Sequence, residues 1–511
     1  MSIRWGKGIT WLGGMTVAVT VLYVTNRYGI GASPDTVTYL SVAQSLDRGK
    51  GFVAADGQAM VEFPPLYPIV IALTLRLFPH HALDSLRFLT ALLSGLSAGV
   101  SLYIAQRLLC HPLTYATAVV LLWLGVPLWS VFVMGWSEPL FIVCTLVWIL
   151  ASERYMLDLS LRHVALMAAT AQLCVLTRYI GVLSVLLGIL VIITVRGLPL
   201  RTRGKHSLIF LLLALALPIL WAIHNVMVSG TLLGERVPSA RSLMFNTKLA
   251  SKVIGNWFFP GDVVQRMGHD LLGLLVLCPV VAIGWGWVRR VLVPAPLLVL
   301  LAVYAVLYVG LLVISASRVA YDALDNRLLS PAYVPLVLAL LGSYEAVALH
   351  VARTAVRRWL VLMPLVVLLS APITCTPQSL IAVHEEGVDF TSARWWQSSA
   401  LKFLRAAPGN EPLYTNCPEA IYLHTGRHSK LLPRRFYYAT HLPVLEDIRT
   451  FQEEVQEYGE VLILWFTTEP TPYLYSPPQL RQRFPMRLER RFADAMLYRL
   501  RARPAQRGNK R

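Results

Sequence analysis

The chain has 511 residues, of which 56% are hydrophobic and only 14% charged, and its mean hydropathy is +0.57. That composition excludes soluble cytosolic, secreted and disordered chains, and apolar runs of about 20 residues recurring from Ile9 to Thr374 describe a polytopic α-helical membrane protein. The 46 Lys+Arg against 28 Asp+Glu give +18. Many of these basic residues lie in links between apolar runs, so membrane lipids, and not nucleic acid, are the expected counter-charge.

Arg4 and Lys7 precede the apolar stretch Ile9 to Val24. Asn26-Arg27-Tyr28 offers no small-residue cleavage pattern, so this stretch reads as a retained first helix. Further spans are predicted at 88–108, 113–133, 139–152, 164–177, 181–195, 208–228, 271–288, 296–314, 329–349 and 360–374, about eleven crossings in all. Thr177-Arg178-Tyr179-Ile180-Gly181 breaks a run too long for one helix, which predicts a tight hairpin with Arg178 at the membrane surface. Pro64 to Phe78 is apolar but short and proline-rich, and reads as a helix on or dipping into the outer surface. With the N-terminus cytoplasmic, the short inner links carry Arg107, Arg154, Arg162, Arg196, Arg201, Arg203, Lys205, Arg289, Arg290, Arg353, Arg357 and Arg358, as the positive-inside rule expects. This topology sets a multi-pass protein in a plasma (inner) membrane, with loops 27–87 and 229–270 outside.

The expected domains are a membrane part over 1–374, an extracytoplasmic α/β domain over 375–500 and a basic disordered tail over 501–511. A helical stretch around Trp395 to Leu404, an extended Pro412-Leu413-Tyr414-Thr415, a helix over Leu445 to Tyr458 and strands at Val461 to Trp465 and Ala495 to Leu500 carry the α/β reading. Cys110, Cys144, Cys174 and Cys278 lie in or beside apolar runs as small hydrophobes. Pairing of Cys375 with Cys417 stays open. No CxxC or Cys/His spacing suggests a metal, and the adjacent His80 and His81 diverge on a helix. Trp123, Trp129, Trp136, Trp257, Trp285 and Trp287 read as interface-belt residues. No cofactor is called for, and no phosphate-cradling Gly-loop appears.

Within the first outer loop, Ser33-Pro34-Asp35 reads as a helix start, followed by an apolar side of Val37, Leu40, Val42, Ala43 and Leu46 for the membrane surface. Asp35 alone could be a helix-dipole acid without a chemical task. Likewise Glu138, between Ser137 and Pro139, could simply start a helix. Arg178 could anchor at the headgroups with Tyr179, and Arg327 could pair with Asp322 or Asp325.

The order of several motifs changes that balance. Ser33-Pro34-Asp35-Thr36-Val37-Thr38-Tyr39-Leu40, Gly49-Lys50-Gly51-Phe52, Phe63-Pro64-Pro65-Leu66-Tyr67-Pro68, Ser137-Glu138-Pro139-Leu140-Phe141, Asn326-Arg327-Leu328-Leu329-Ser330-Pro331 and Tyr414 to Tyr422 with Thr425-Gly426-Arg427 occur in sequence. Together they resemble the GT-C glycosyltransferases. More narrowly, they are similar to the protein O-mannosyltransferases, aminoarabinose transferases and RgtA/B/C/D-like bacterial enzymes. The resemblance implies a GT-C-like fold and transfer of a sugar from a polyprenyl-phosphate donor to a glycan, lipid or protein acceptor on the outer face, by inverting displacement. It makes Asp35 the counterpart of the catalytic base, Glu138 a second acidic residue and Arg327 the residue approaching the donor phosphate. Several relatives carry a Lys before the Pro-Pro pair where this chain has Phe63, so the phosphate cation falls to Arg327, Arg178 or Arg318. Arginine's planar fork suits phosphate, and a carboxylate suits acceptance of the hydroxyl proton. A transporter or flippase of lipid-linked sugars is the alternative, with no duplicated halves visible to support it.

Overall fold

The computed structural model describes residues 7–77, 81–267, 295–351, 354–406, 409, 411–438 and 440–502. Contacts divide the chain into two compact units, Met1–Ile30 with Ala59–Gly387, and Gly31–Gln58 with Val388–Arg511.

In the first unit, seven helices among the described residues are long and apolar enough to cross a membrane: Ala82–Leu108, Pro112–Phe132, Glu138–Asp158, Leu200–Ser229, Pro296–Ala316, Asn326–Ala346 and Leu365–Glu386. Shorter apolar helices cover Thr10–Val24, Leu66–Leu77, Leu161–Thr177 and Tyr179–Thr194. The predicted span 271–288 lies outside the described residues. At 12 residues the Leu66–Leu77 helix extends about 18 Å, well short of a hydrocarbon core of about 30 Å.

One predicted span is displaced along the chain, and another is interrupted. The last, expected at 360–374, is instead a helix Ala355–Leu362, a 3-10 stretch Met363–Leu369 and a helix Ser370–Glu386. The span predicted at 113–133 is present as Pro112–Phe132, interrupted where Pro112–Trp123 stops and Val126–Phe132 restarts after Leu124-Gly125, with Pro127 in its first turn. A break inside a hydrocarbon layer frees backbone carbonyls that water cannot reach. Here the buried Tyr333 hydroxyl donates to the Leu121 carbonyl at 2.9 Å, and the Thr376 hydroxyl donates to the Leu124 carbonyl at 2.7 Å. Gly125 lies so near the Tyr333 ring and the Leu121 carbonyl that a Cβ would sit 2.5 and 2.8 Å from them.

A second device of the same kind holds the start of the Pro112–Trp123 helix. Glu345, 4% exposed, accepts the Cys110 backbone N–H at 2.6 Å, the His111 N–H at 3.1 Å and the Thr114 hydroxyl. A carboxylate at the orphan donors of a helix N-terminus supplies both the missing acceptors and the charge that the dipole favours. At the ends of the Ala82–Leu108 and Glu138–Asp158 helices, Arg107 forms a two-pronged pair with Glu153 at 2.6 and 3.0 Å. Cys375 and Cys417 are both free thiols.

The second unit is built on a five-stranded sheet of order β2-β1-β3-β5-β4: β1 Leu413–Thr415, β2 Lys430–Leu431, β3 Glu460–Phe466, β4 Met486–Arg491 and β5 Ala495–Arg501. β1 pairs in parallel with β2 and β3, while β5 runs antiparallel to both β3 and β4. β1, β3 and β5 coincide with the predicted extended segments. β4 escaped detection because Met-Arg-Leu-Glu-Arg-Arg is an exposed edge strand whose side chains show no apolar alternation. The predicted Trp395 to Leu404 helix is two short ones, Ala393–Gln397 and Ser399–Ala406.

The Pro34–Asp47 helix belongs to this second unit. It starts as predicted, with the Ser33 hydroxyl accepting the Thr36 N–H at 3.5 Å. Its apolar side is not left for a membrane surface, however. Val37, Leu40, Val42 and Ala43 of that side are buried, and Val37, with Ala32 before the helix, joins a core cluster with Phe390, Trp395, Ile421 and Leu464.

Replacing Glu345 with Leu leaves the part-buried Cys110 and His111 N–H groups without this acceptor, so stability is expected to fall by about 1 to 2 kcal/mol. Thermal unfolding of purified protein in lipid nanodiscs should show Glu345→Leu well below wild type and Glu345→Gln between them. Identical unfolding temperatures would remove Glu345 from any anchoring role.

Candidate functional site

In the first unit the chain brings Glu138, Arg178 and Arg327 into contact. Glu138 is the first residue of its helix, with Pro139 behind it, and its side chain is fully buried. Its Oε1 accepts from Arg327 Nε at 2.7 Å and from Arg178 Nη1. Its Oε2 has no hydrogen-bond partner among the described residues. The two guanidinium side chains keep 18% and 14% of their surface exposed for Arg178 and Arg327. One buried carboxylate thus holds two guanidinium groups together, and guanidinium donors in a poorly hydrated setting suit an anion.

Each arginine is held by its neighbours in the chain. Arg178 sits in extended backbone, φ −149° and ψ 137°, between the Leu161–Thr177 helix and the 3-10 turn Tyr179–Gly181. The turn passes so close to the Cys174 backbone that a Cβ on Gly181 would collide with it. Tyr179 pins the same turn: its hydroxyl donates to the Val61 carbonyl at 3.0 Å and accepts from Trp221 Nε1 at 3.1 Å and Asn225 Nδ2 at 3.2 Å. Arg178 also donates to Ser137 Oγ at 3.3 Å.

Arg327 is the second residue of the Asn326–Val351 helix. Bonds on both flanking residues hold it: Trp257 Nε1 donates to Asn326 Oδ1 at 3.0 Å, and the Tyr308 hydroxyl donates to the Leu328 carbonyl at 3.1 Å. The Arg327 guanidinium lies 4.2 Å from the Trp136 ring centroid, a cation–π distance that leaves the fork in one plane. Asp325 accepts the Leu328 N–H at 3.0 Å as a helix cap, and burial pushes its carboxyl above the ordinary range.

Of the residues singled out from sequence, Glu138, Arg178 and Arg327 therefore share one cluster. Arg318 does not join it. Its side chain is exposed, and its carbonyl accepts the Ser239 N–H at 3.1 Å. Arg178 bonds Glu138 and Ser137, so it is more than a headgroup anchor. Two residues read as interface belt act otherwise: Trp257 is fully buried and fixes Asn326, and Trp136 stacks on Arg327. Composition alone carried no signal for either, although Trp136 stands two residues before Glu138. Trp285 and Trp287 lie outside the described residues.

Asp35 lies in the second unit, half-buried in the first turn of its helix. Glu419, at the start of the Pro418–Thr425 helix, has its carboxyl raised by burial and by the nearby charges of Asp56 and Asp35. Burial and the neighbouring Glu469 push the Asp389 carboxyl up to about 6. Among the described residues, no group of three or more His, Cys, Asp or Glu is arranged to hold a metal ion.

Removing the buried charge while leaving both arginines should be costly, by about 3 to 5 kcal/mol for a pair broken on one side. Glu138→Gln is expected to lower the unfolding temperature and to loosen both arginines. An unchanged unfolding temperature would mean that the two cations need no counter-charge.

No protein-family model matches the chain, and no curated protein sequence does. Among solved structures it is similar to ArnT from Cupriavidus metallidurans, in the apo state and bound to undecaprenyl phosphate, with a TM-score of 0.58 and 15% identity over 97% of this chain and 98% of that one. It is also similar to the archaeal oligosaccharyltransferase AglB from Archaeoglobus fulgidus, solved with an inhibitory peptide and a dolichol-phosphate (TM-score 0.51, 12% identity, 90% of this chain, 70% of that one). The arabinofuranosyltransferase AftD from mycobacteria gives a TM-score of 0.56 at 13% identity, over 99% of this chain and 42% of that one. These are GT-C glycosyltransferases, and from the agreement along nearly its full length the chain has the GT-C fold of a multi-pass membrane protein, as its ordered motifs imply.

Proposed function

We propose that the protein is a membrane glycosyltransferase that moves a sugar from a polyprenyl-phosphate-linked donor to an acceptor hydroxyl on the outer face of the membrane, with inversion. The observation that supports this most is the buried Glu138 holding Arg178 and Arg327 as a fixed pair of guanidinium groups. A fold neighbour solved with undecaprenyl phosphate makes a lipid phosphate the fitting anion.

In this reading the acceptor oxygen attacks C1 of the sugar as the bond from C1 to the phosphate oxygen breaks. The polyprenyl phosphate leaves with the electron pair, and Asp35 takes the proton of the acceptor hydroxyl. Arg327 and Arg178 carry the growing charge on the leaving phosphate through directional N–H donors. Glu138 orients both arginines and sets their spacing. Asp35 stands in the first turn of its helix, at the positive end of the dipole. A carboxylate base suffices where the sugar carbon already carries oxocarbenium character.

Purified protein in lipid with labelled polyprenyl-phosphate sugar should release free polyprenyl phosphate when an acceptor is supplied. Movement of intact donor across the bilayer without release would make the protein a flippase. Arg327→Lys keeps the charge but loses the fork, so turnover should fall sharply while folding survives; wild-type donor affinity and turnover in both Arg327→Lys and Arg327→Ala would sink the phosphate role. Asp35→Asn should cut turnover about 100-fold or more at saturating donor. The N-terminus belongs on the cytoplasmic side in this proposal and the sheet-bearing unit outside. A cysteine at Gly409, in a background lacking Cys110 and Cys375, should react with an impermeant maleimide in intact cells. Labelling only after lysis would invert the topology.

A further inference from the structure

The segment Gly31–Gln58, which carries Asp35, is fastened at three points to residues 389–428 of the same unit. Before the helix, the Phe390 N–H donates to the Ala32 carbonyl at 3.0 Å, in a parallel bridge between Ala32 and Asp389. Towards its end, the Tyr422 hydroxyl donates to Gln44 Oε1 at 3.0 Å. Beyond it, the His428 ring bonds the Ala55 carbonyl. Phe390 is itself held by His424, whose Nε2 donates to the Phe390 carbonyl at 2.7 Å while Nδ1 accepts from Arg405 Nη2 at 3.2 Å. Those two partners specify one neutral tautomer of His424, since a carbonyl accepts only and a guanidinium donates only. Burial and the Arg405 charge both disfavour its protonation.

Ordinary packing already seats the helix, because Ala32 and Val37 lie in the same core cluster as Ile421. The polar ties add what packing does not supply. Apolar contacts tolerate sliding along the helix axis, whereas hydrogen bonds on either side of Asp35 set its height and rotation. A displacement of about 1 Å at a reacting group costs about 100-fold in rate, so fine placement matters more here than gross stability.

We propose that Tyr422 and His424 are positioning residues for Asp35, so that the sheet-bearing unit belongs to the catalytic apparatus through the Pro418–Thr425 helix. This rests on the reading of Asp35 as the base. Tyr422→Phe keeps the ring, which lies 5.3 Å from His428 between centroids, and removes only the hydroxyl. In full-length protein in nanodiscs, with labelled polyprenyl-phosphate sugar as donor, kcat should fall about 10-fold, part of the cost of a misplaced group. Donor KM and unfolding temperature should stay at wild-type values. Gln44→Met removes the same bond from the other side and should give the same kcat, and the double variant should fall no further, because one interaction is being deleted twice. His424→Gln, which offers a donor and an acceptor, should retain more kcat than His424→Ala at equal stability. Wild-type kcat in Tyr422→Phe and Gln44→Met, alongside lost turnover in Asp35→Asn, would overturn the positioning role and leave the base intact. Full turnover in Asp35→Asn would overturn both. A loss of unfolding temperature that accounts for every loss of rate would make the ties structural only.

Discussion

A carboxylate with no exposed surface at the start of a membrane-spanning helix has to be matched by positive charge, and Glu138 is matched twice. The cost of stripping water from an ion is several kcal/mol even after relaxation, so this one side chain ties the ends of three helical segments together. Its partners stand 40 and 189 residues further along the chain. The hydroxyl of Tyr308, the indoles of Trp257 and Trp136 and the turn at Gly181 then work on the arginines, not on the acid. What results is a pair of guanidinium groups held in place around one buried acid, each with part of its surface still exposed.

The same demand, that no polar group be left alone in a hydrocarbon layer, explains features away from that cluster. The helix broken at Leu124-Gly125 survives because Tyr333 and Thr376 satisfy its free carbonyls. At the start of the Pro112–Trp123 helix, Glu345, an acid from far along the chain, accepts the Cys110 and His111 N–H groups, while the His111 ring accepts that of Leu113. Glu153 and Arg107 neutralise each other where two long helices end. In each case a polar residue that looks out of place in an apolar run is the partner of a specific backbone group or charge.

The second unit follows soluble-protein rules. Alternation within β3 and β5 fills a core shared with Trp395, Phe390 and Ile421. The helix carrying Asp35 contributes Val37 to that core although it is separated from Val388 by most of the chain. Polar bonds from Tyr422 and His428 then fix the register of the segment.

The sequence by itself determined the membrane class, the positions of most apolar spans, the helix start at Ser33-Pro34-Asp35 and the central strands of the sheet. Apolar length, alternation and capping residues are local signals, written in neighbouring positions. It also marked Glu138, Arg178 and Arg327 as residues to watch, but with a separate bland reading for each. Only the tertiary structure decided that one acid serves both arginines, that Arg318 stands apart, that Trp257 and Trp136 support Arg327, and that Val37 faces a protein core and not lipid. An amphipathic helix records which side is apolar without recording what will cover it. Ion pairs and hydrogen bonds between distant segments leave no periodic trace in the chain, because their geometry exists only after the helices have packed.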